Sequence, residues 1–332
     1  PTSRCIKFGL QKKCIVSLFG IIAPFLILRR IFPKLSWIHI KVQDFIMGIF
    51  MRKCDICISL TGYVYAPRIA QKKGAIIIME RGSKHILEQK KILEKNPHKK
   101  NEAIPNRNIK CNLKAYQFAN FISVASQHVK ESFLLHQYPE NRIFVNPYGV
   151  DLSMFKPLPN IPKKYDVIMV GGWGYEKGCD LIVEAIRKTN YSFIHVGSIK
   201  DVDFPQEKNF THIDPVDQSK LIEYYNQAKV FILPSRQDGF GMVLSQALAC
   251  NLPIIGSNNC GAPDLKKMVE LPEYITIIKD YTADAIVTAI HTAIKNYEQL
   301  GERIYAGNAI ENLTWEAYGK RYANFLHKII KQ

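Results

Sequence analysis

Two glycine-rich segments contain the residues best suited to binding an anionic ligand. The first, VGGWGYEKG at residues 170–178, follows a short apolar run and precedes a helical pattern. Glycines let a backbone approach a phosphate group closely, and Lys177 supplies a positive charge for it. The segment is neither a G-x-G-x-x-G fingerprint nor a Walker loop. A purely structural turn from strand to helix therefore stays open as an alternative.

The second segment is LPSRQDGFGMVLSQALA at residues 233–249. A predicted strand ends at Leu233, a loop holds Asp238 to Gly241, and the helix that follows offers free N–H groups to an anion. Gln246 stands eight residues after Asp238, so a hydroxyl-bearing ligand would meet polar groups from both the loop and the helix. The alternative makes Asp238 a helix cap and leaves Gln246 in solvent.

Together these segments resemble the retaining glycosyltransferases of family 4. The second is similar to their E-x7-E region and the first to their G-R-x-x-x-x-K-G donor loop, while NPYGVD at residues 146–151 resembles their interdomain N-G-V-D segment. The resemblance implies an α/β chain with the GT-B fold, in which two Rossmann-like domains have parallel sheets facing across a cleft. It also implies transfer of a hexose-type sugar from a nucleoside diphosphate sugar to a hydroxyl, with retention.

The resemblance also assigns roles to individual residues. Lys177 would contact the donor diphosphate, Asp238 the transferred sugar and Gln246 the ribose. The other donor-binding positions that it implies are Gly171, Gly172, Pro215, Val216, Gly239, Phe240, Gly241, Met242 and Val243.

The chain departs from the family pattern at three of these positions. Gly172 stands where the family has arginine, and Arg236 is a candidate for the missing phosphate cation. Asp238 and Gln246 replace both glutamates. A catalytically inert sugar-binding homologue therefore stays open as an alternative.

The acceptor side is predicted at MERGSKH, residues 79–85, directly after an apolar run. Arg81, Ser83 and His85 would then stand at the carboxyl end of a strand, where active-site groups collect. Arg81 and His85 are catalytic candidates, with His85 as base or orienting group, and Ser126 joins the acceptor side by the resemblance. The alternative is a charged turn that caps the next helix. The family's first strand–helix unit, with its glycine pair, is expected to be missing or remodelled.

Apolar runs alternate with helical patterns, which predicts parallel sheets covered by helices. The predicted domains are an acceptor-side domain at 1–155, a donor-binding domain at 156–313 and a C-terminal helix at 314–332 that crosses back to the first. The predicted strands are 55–60, 75–79, 121–125, 143–146, 166–170, 192–196, 230–233 and 254–256. The predicted helices are 86–93, 114–120, 127–137, 180–188, 219–228, 243–250 and 314–330.

Positive charge is concentrated in the first half of the chain. Residues 1–160 contain 26 Lys and Arg against 9 Asp and Glu, a net charge of +17, whereas the remaining residues contain 19 and 20, a net charge of −1. Basic pairs at residues 12–13 and 29–30 flank the apolar run Ile15–Leu28, which is short for a membrane span. We expect a buried helix there or one lying in a membrane interface. The second reading predicts peripheral attachment to an anionic cytoplasmic leaflet and a lipid-linked or saccharide acceptor, in polysaccharide or lipopolysaccharide assembly.

No metal and no cofactor are expected beyond the nucleotide sugar itself. Cys54 and Cys57 have the spacing of a metal or redox pair, but without a second pair they favour core packing in a reducing cytosol. A nucleotide-sugar epimerase of the same fold is the nearest rival function. Nucleic-acid binding is a more distant one, since aromatic and basic residues are not interleaved.

Overall fold

The computed structural model describes residues 17–18, 20–23, 36–98, 104–300 and 311–331. Its helices are α1 Ser36–Ile49, α2 Tyr65–Lys72, α3 Ile86–Glu94, α4 Asn106–Phe118, α5 Gln127–Leu134, α6 Cys179–Arg187, α7 Leu221–Asn226, α8 Met242–Ala249, α9 Ala262–Lys266, α10 Ala283–Leu300 and α11 Trp315–Ile330. Its strands are β1 Ile56–Leu60, β2 Ile76–Arg81, β3 Phe121–Val124, β4 Ile143–Val145, β5 Tyr165–Val170, β6 Phe193–Val196, β7 Phe210–Ile213, β8 Ala228–Leu233, β9 Ile254–Ser257 and β10 Ile275–Ile278.

The strands form two sheets, which confirms the predicted α/β class with two parallel sheets. One sheet has four strands in the order β1-β2-β3-β4, and the other has six in the order β10-β9-β8-β5-β6-β7. The chain divides into two compact units, one of residues 1–80 and 106–122 and the other of residues 81–105 and 123–332. The predicted domain boundary at residue 155 stays a prediction.

The six-stranded sheet places the two glycine-rich segments side by side. β5 pairs in parallel with β6 on one side and with β8 on the other, so the strand order reverses between β5 and β8. Loops at such a reversal diverge to opposite faces and leave a crevice beyond the carboxyl ends of the strands. Residues 170–178 and 233–241 follow these two strands and therefore border the same crevice.

Burial explains why the central strands could be read from the sequence. Val167, Ile168 and Met169 of β5 and Val230, Phe231 and Ile232 of β8 are completely buried, as continuous apolar runs in a parallel sheet should be. All eight predicted strands are present. The structure adds two strands that the sequence analysis missed, β7 and β10.

Part of the predicted membrane segment can be compared with the structure. Most of Ile15–Leu28, with the basic residues Lys12, Lys13, Arg29 and Arg30, lies outside the described residues, although residues 20–23 are helical. Among the described residues, no helix combines the length and the apolar character needed to cross a bilayer. The predicted C-terminal helix is confirmed as α11, whose Phe325 stacks on Phe144 with ring centroids 4.0 Å apart.

Candidate functional site

The loop after β5 depends on glycine for its course. Gly171 and Gly178 have positive φ angles of 125° and 74°, which other residues rarely adopt. A Cβ on Gly178 would overlap the carbonyl oxygen of Pro234, so this glycine lets the loop lie against the loop after β8. The backbone N–H of Arg236 also donates to the carbonyl of Glu176 at 2.9 Å. The two predicted donor-binding segments are therefore in direct contact.

The loop after β8 leads into α8 through Gly241, whose φ is 80° and which occupies the N-cap. Gly239 and Phe240 are buried, whereas Met242 at the start of the helix is exposed. The alternative that made Asp238 the helix cap is therefore wrong. The first N–H groups of α8 follow a glycine without a side chain, which leaves them accessible to an anion.

Lys177 and Asp238 form an ion pair, with Nζ of Lys177 2.6 Å from Oδ2 of Asp238. Their side chains are 19% and 18% exposed, so the pair is largely shielded from solvent. Burial alone would lower the pKa of Lys177, but the negative charges of Asp238 and Glu176 outweigh it and raise that pKa. Lys177 therefore stays protonated at neutral pH, and its charge is held between the two loops.

Arg236, the sequence-based candidate for the missing phosphate cation, is paired with a carboxylate. Its guanidinium donates to both carboxylate oxygens of Asp180, at 2.6 and 2.7 Å, and lies 3.8 Å from the ring centroid of Tyr175. This bidentate pair fixes the side chain against the start of α6. Its role toward a phosphate stays a prediction.

Gln246 is buried rather than solvated, so the alternative reading of this residue is wrong. It is 6% exposed, and its Oε1 accepts a hydrogen bond of 3.0 Å from the hydroxyl of Tyr225, which is fully buried. With Oε1 held in this way, the Nε2 group at the other corner of the planar amide is the one left to face a ligand hydroxyl. The loop after β7 holds two further predicted donor-binding residues, of which Pro215 is exposed and Val216 half-buried.

The residues predicted for the acceptor side hold loops in place. Arg81 donates through Nε to the carbonyl of Lys84 at 3.0 Å and through Nη2 to Oε1 of Gln89 at 2.6 Å. Ser83 accepts a hydrogen bond from the side-chain amide of Gln237 in the donor loop. These contacts connect the turn after β2 to the loop after β8.

His85 is poorly suited to be a general base. It is 5% exposed, occupies the N-cap of α3 and accepts through Nδ1 from the N–H of Leu87 at 3.4 Å. Burial and the neighbouring His136 and Arg81 lower its pKa to about 3. The reading as a capping turn therefore describes His85 better than a catalytic one.

Ser126 lies beneath the donor loop and is completely buried. Its hydroxyl donates to the carbonyl of Gly239 at 2.5 Å. Gly239 has no room for a side chain, because a Cβ there would overlap the carbonyl of Gly82. Ser126 and Gly82 together fix the position of the loop that contains Asp238.

Comparison with known proteins identifies the segment that carries this site. Residues 153–309 match the family model described as glycosyl transferases group 1. This segment is therefore similar to the glycosyl transferases of group 1. It contains β5 to β10 and both glycine-rich loops, so the family match and the crevice coincide.

Relatives of this glycosyltransferase segment extend over more of the chain. A probable sucrose-phosphate synthase of Thermosipho melanesiensis is 26% identical in an alignment 242 positions long, which covers 64% of this chain and 56% of that protein. A GDP-mannose-dependent phosphatidylinositol monomannoside mannosyltransferase of Mycolicibacterium smegmatis is 23% identical over 63% of this chain and 62% of its own length. The chain thus spans little more than half the length of these curated relatives.

The solved structures show the same fold. Anabaena HepE, determined with UDP and glucose, superposes with a TM-score of 0.66 over 94% of this chain and 83% of its own, at 14% identity. The GT-B class predicted from the sequence is thereby confirmed.

Sequence reasoning missed two histidines that position the two glycine-rich loops. His128 makes a hydrogen bond of 2.8 Å through Nε2 to the carbonyl of Asp238, and His195 makes one of 2.8 Å through Nε2 to the carbonyl of Gly171. Burial lowers the pKa of each to about 4, so both are neutral and carry their proton on Nε2, because a carbonyl only accepts. Their positions after β3 and within β6 gave no signal of contact with a distant loop.

The described residues contain no cluster of three His, Cys, Asp or Glu side chains arranged to hold a metal ion. Cys57 is buried, and burial and Cys54 raise its pKa to about 11, so it remains a thiol at neutral pH. The absence of a metal requirement stays a prediction.

Proposed function

We propose that this chain is a glycosyltransferase that moves a hexose-type sugar from a nucleoside diphosphate sugar to a hydroxyl acceptor, with retention at the anomeric carbon. The observation that carries the proposal is the Lys177–Asp238 pair, placed between two glycine loops at the sheet's reversal and beside the N-terminus of α8. A cation and free N–H groups suit a diphosphate, and a carboxylate suits a sugar hydroxyl.

In the proposed reaction the bond between the anomeric carbon and the diphosphate oxygen breaks, a bond to the acceptor oxygen forms, and the proton of the acceptor hydroxyl passes to the departing diphosphate oxygen. Lys177 and the N–H groups at the start of α8 stabilise the negative charge that develops on the leaving diphosphate. Asp238 orients the transferred sugar by accepting hydrogen bonds from its hydroxyls. Gln246, held by Tyr225, donates to a ribose hydroxyl through Nε2.

The proposal is tested by incubating the purified chain with UDP-, GDP-, ADP- and TDP-sugars and measuring release of the nucleoside diphosphate. We expect release that depends on a saccharide or lipid-linked acceptor, and NMR of the product should show the donor's anomeric configuration. Conversion of the donor sugar without acceptor would favour the epimerase. Donor binding without turnover, with every acceptor class tried, would favour the inert homologue.

We further propose peripheral attachment to an anionic membrane surface and a lipid-linked acceptor. The unit that contains α1 exposes large apolar side chains beside basic ones. These are Ile40, Phe45, Ile49 and Phe50, which are 46–58% exposed, with the exposed Lys41, Arg52 and Lys53. Apolar area combined with Lys and Arg gives interfacial binding, to which each base adds about 1 kcal/mol near an anionic leaflet. The mycobacterial relative is named for a phosphatidylinositol-linked acceptor, which agrees with this proposal.

Vesicle co-sedimentation tests the attachment. We expect binding to anionic but not to neutral vesicles, with recovery decreasing as salt rises. Replacing Phe45 and Ile49 by Ser should reduce recovery, whereas Leu135→Ser, at a residue 74% exposed in the other unit, should leave it unchanged. Equal recovery with neutral vesicles would contradict the proposal, and salt-sensitive binding to nucleic acid instead would favour the rival function.

A further inference from the structure

Gly172 lies directly against the side chain of Lys200, which belongs to the loop after β6. An ideal Cβ built on Gly172 would overlap Cε of Lys200 and would stand 2.8 Å from its Nζ. Gly172 does not have a positive φ angle, so its backbone would accept another residue. The three atoms nearest to the added Cβ all belong to the side chain of Lys200. The ammonium group of Lys200 therefore lies at the root of the side chain that residue 172 lacks.

The backbone fixes Lys200 in this place. The N–H of Lys200 donates to the carbonyl of Trp173 at 2.9 Å, and the N–H of Trp173 donates to the carbonyl of Ser198 at 2.8 Å. Trp173 and Ile199 form a parallel bridge that extends the pairing of β5 with β6 beyond the carboxyl ends of both strands. The glycine loop and residue 200 therefore keep a constant register.

Lys200 differs from the other two cations of these loops in its partners. Lys177 is paired with Asp238, and Arg236 with Asp180. Within the described part of the chain, no carboxylate lies within ion-pair distance of Lys200 Nζ. The adjacent carboxylate of Asp201 accepts from the N–H of Tyr175 at 2.9 Å and from the Asn96 amide at 2.7 Å.

We propose that Lys200 binds the diphosphate of the donor, and so supplies from the loop after β6 the phosphate cation that residue 172 does not provide. This inference rests on the proposed function, because it takes the glycine loop after β5 as the diphosphate site. The exposed Lys200 follows β6, whereas Nζ of Lys177 is held by Asp238 in the loop after β8, and β6 and β8 flank β5 on opposite sides. A diphosphate over the loop would then have a positive charge on each side.

The test is calorimetric titration of the purified chain with UDP, GDP, ADP and TDP, and with the corresponding nucleosides. We expect Lys200→Ala to weaken binding of the preferred diphosphate about tenfold, the effect of one charge-assisted contact at an exposed site, and to leave nucleoside binding unchanged. Lys208→Ala, at an exposed lysine between β6 and β7, is the matched control and should bind like the wild type.

A second variant restores a positive charge near the diphosphate site from residue 172 instead of residue 200. Gly172→Arg combined with Lys200→Ala removes the overlapping lysine and places a guanidinium at residue 172, so affinity for the diphosphate should recover. Wild-type affinity in Lys200→Ala, or equal weakening of diphosphate and nucleoside, would overturn the role of Lys200 and leave the proposed function standing. A wild-type chain that binds none of the four diphosphates would overturn both.

Discussion

Substitution of Lys177 by Met should affect stability and ligand binding through two different causes. The pair with Asp238 is 2.6 Å long and more than four-fifths buried on both sides. Exposed pairs contribute about 0.2–1 kcal/mol, whereas losing one partner of a fully buried pair costs about 3–5 kcal/mol. We therefore expect Lys177→Met to lower the unfolding free energy by about 1–3 kcal/mol, because the carboxylate of Asp238 loses its counter-ion.

The affinity of Lys177→Met for the nucleoside diphosphate should also fall, for a reason separate from stability. Loss of one charge-assisted contact to the diphosphate weakens affinity by about 10- to 100-fold. Adding Asp238→Asn to Lys177→Met removes the uncompensated carboxylate, so stability should recover while diphosphate affinity does not. This difference between the two readouts separates the structural role of Lys177 from its role toward the ligand.

Urea denaturation measures the first effect, and titration with the preferred nucleoside diphosphate measures the second. Lys188→Met is the matched control, because Lys188 and Asp284 also lie 2.6 Å apart but are 51% and 82% exposed. It should change stability by less than about 0.5 kcal/mol and leave affinity unaltered. Wild-type affinity in Lys177→Met would refute the assignment of the diphosphate to this loop.

Three further outcomes follow from individual contacts. Gln246→Leu should remove the acceptor of the buried Tyr225 hydroxyl, which lowers the unfolding free energy by about 1–3 kcal/mol, and should abolish most activity. Gln246→Glu should keep or increase the activity. Full activity in the Leu variant would contradict this prediction. Gly239→Ala should destabilise the chain by about 1–3 kcal/mol through backbone overlap, whereas Gly319→Ala, which meets nothing within 4 Å, should not; equal stabilities would disprove the overlap. Lowering the pH from 7 to 5.5 should reduce the unfolding free energy by about 1 kcal/mol for each buried histidine. The pKa of such a histidine in the folded state lies below its unfolded value of about 6.5, so the unfolded state binds protons first as the pH falls and is stabilised relative to the folded state. These histidines are His85, His128 and His195. The variant His128→Gln should lose less stability over the same pH range, as urea denaturation at the two pH values can measure.

The sequence predicted the central strands and missed the edges of the larger sheet for a physical reason. β10 and β7 are the two outermost strands, and each has two or three residues that are only partly buried. An edge strand borders solvent on one side, so its apolar pattern is short and mixed, as FTHI in β7 is. Its position is fixed by backbone pairing with a neighbour, which a local pattern does not reveal.

The positions of the site residues were predictable, but their partners were not. Lys177 and Asp238 are 61 residues apart, and Arg236 and Asp180 are 56 apart. Spacing relative to the strands placed all four in the loops or at the start of a helix, yet which cation meets which carboxylate depends on how two loops pack. The same limit explains His85, because the burial and the neighbouring cations that lower its pKa come from the packing of α3.

With Lys200 counted by our proposal, the three departures from the family pattern leave the donor site one charge more positive. The family pattern places two cations, arginine and lysine, with two glutamates. Here Lys177 and, by our proposal, Lys200 keep two cations, whereas Asp238 is the single carboxylate because Gln246 is neutral. The net charge of these residues around a bound diphosphate is therefore one unit more positive than in the family pattern. Such a charge stabilises the leaving diphosphate in the transition state, but it also holds the product diphosphate more tightly. Product release would then limit turnover, which is why Gln246→Glu, by restoring the second carboxylate, is expected to weaken diphosphate binding without slowing the enzyme.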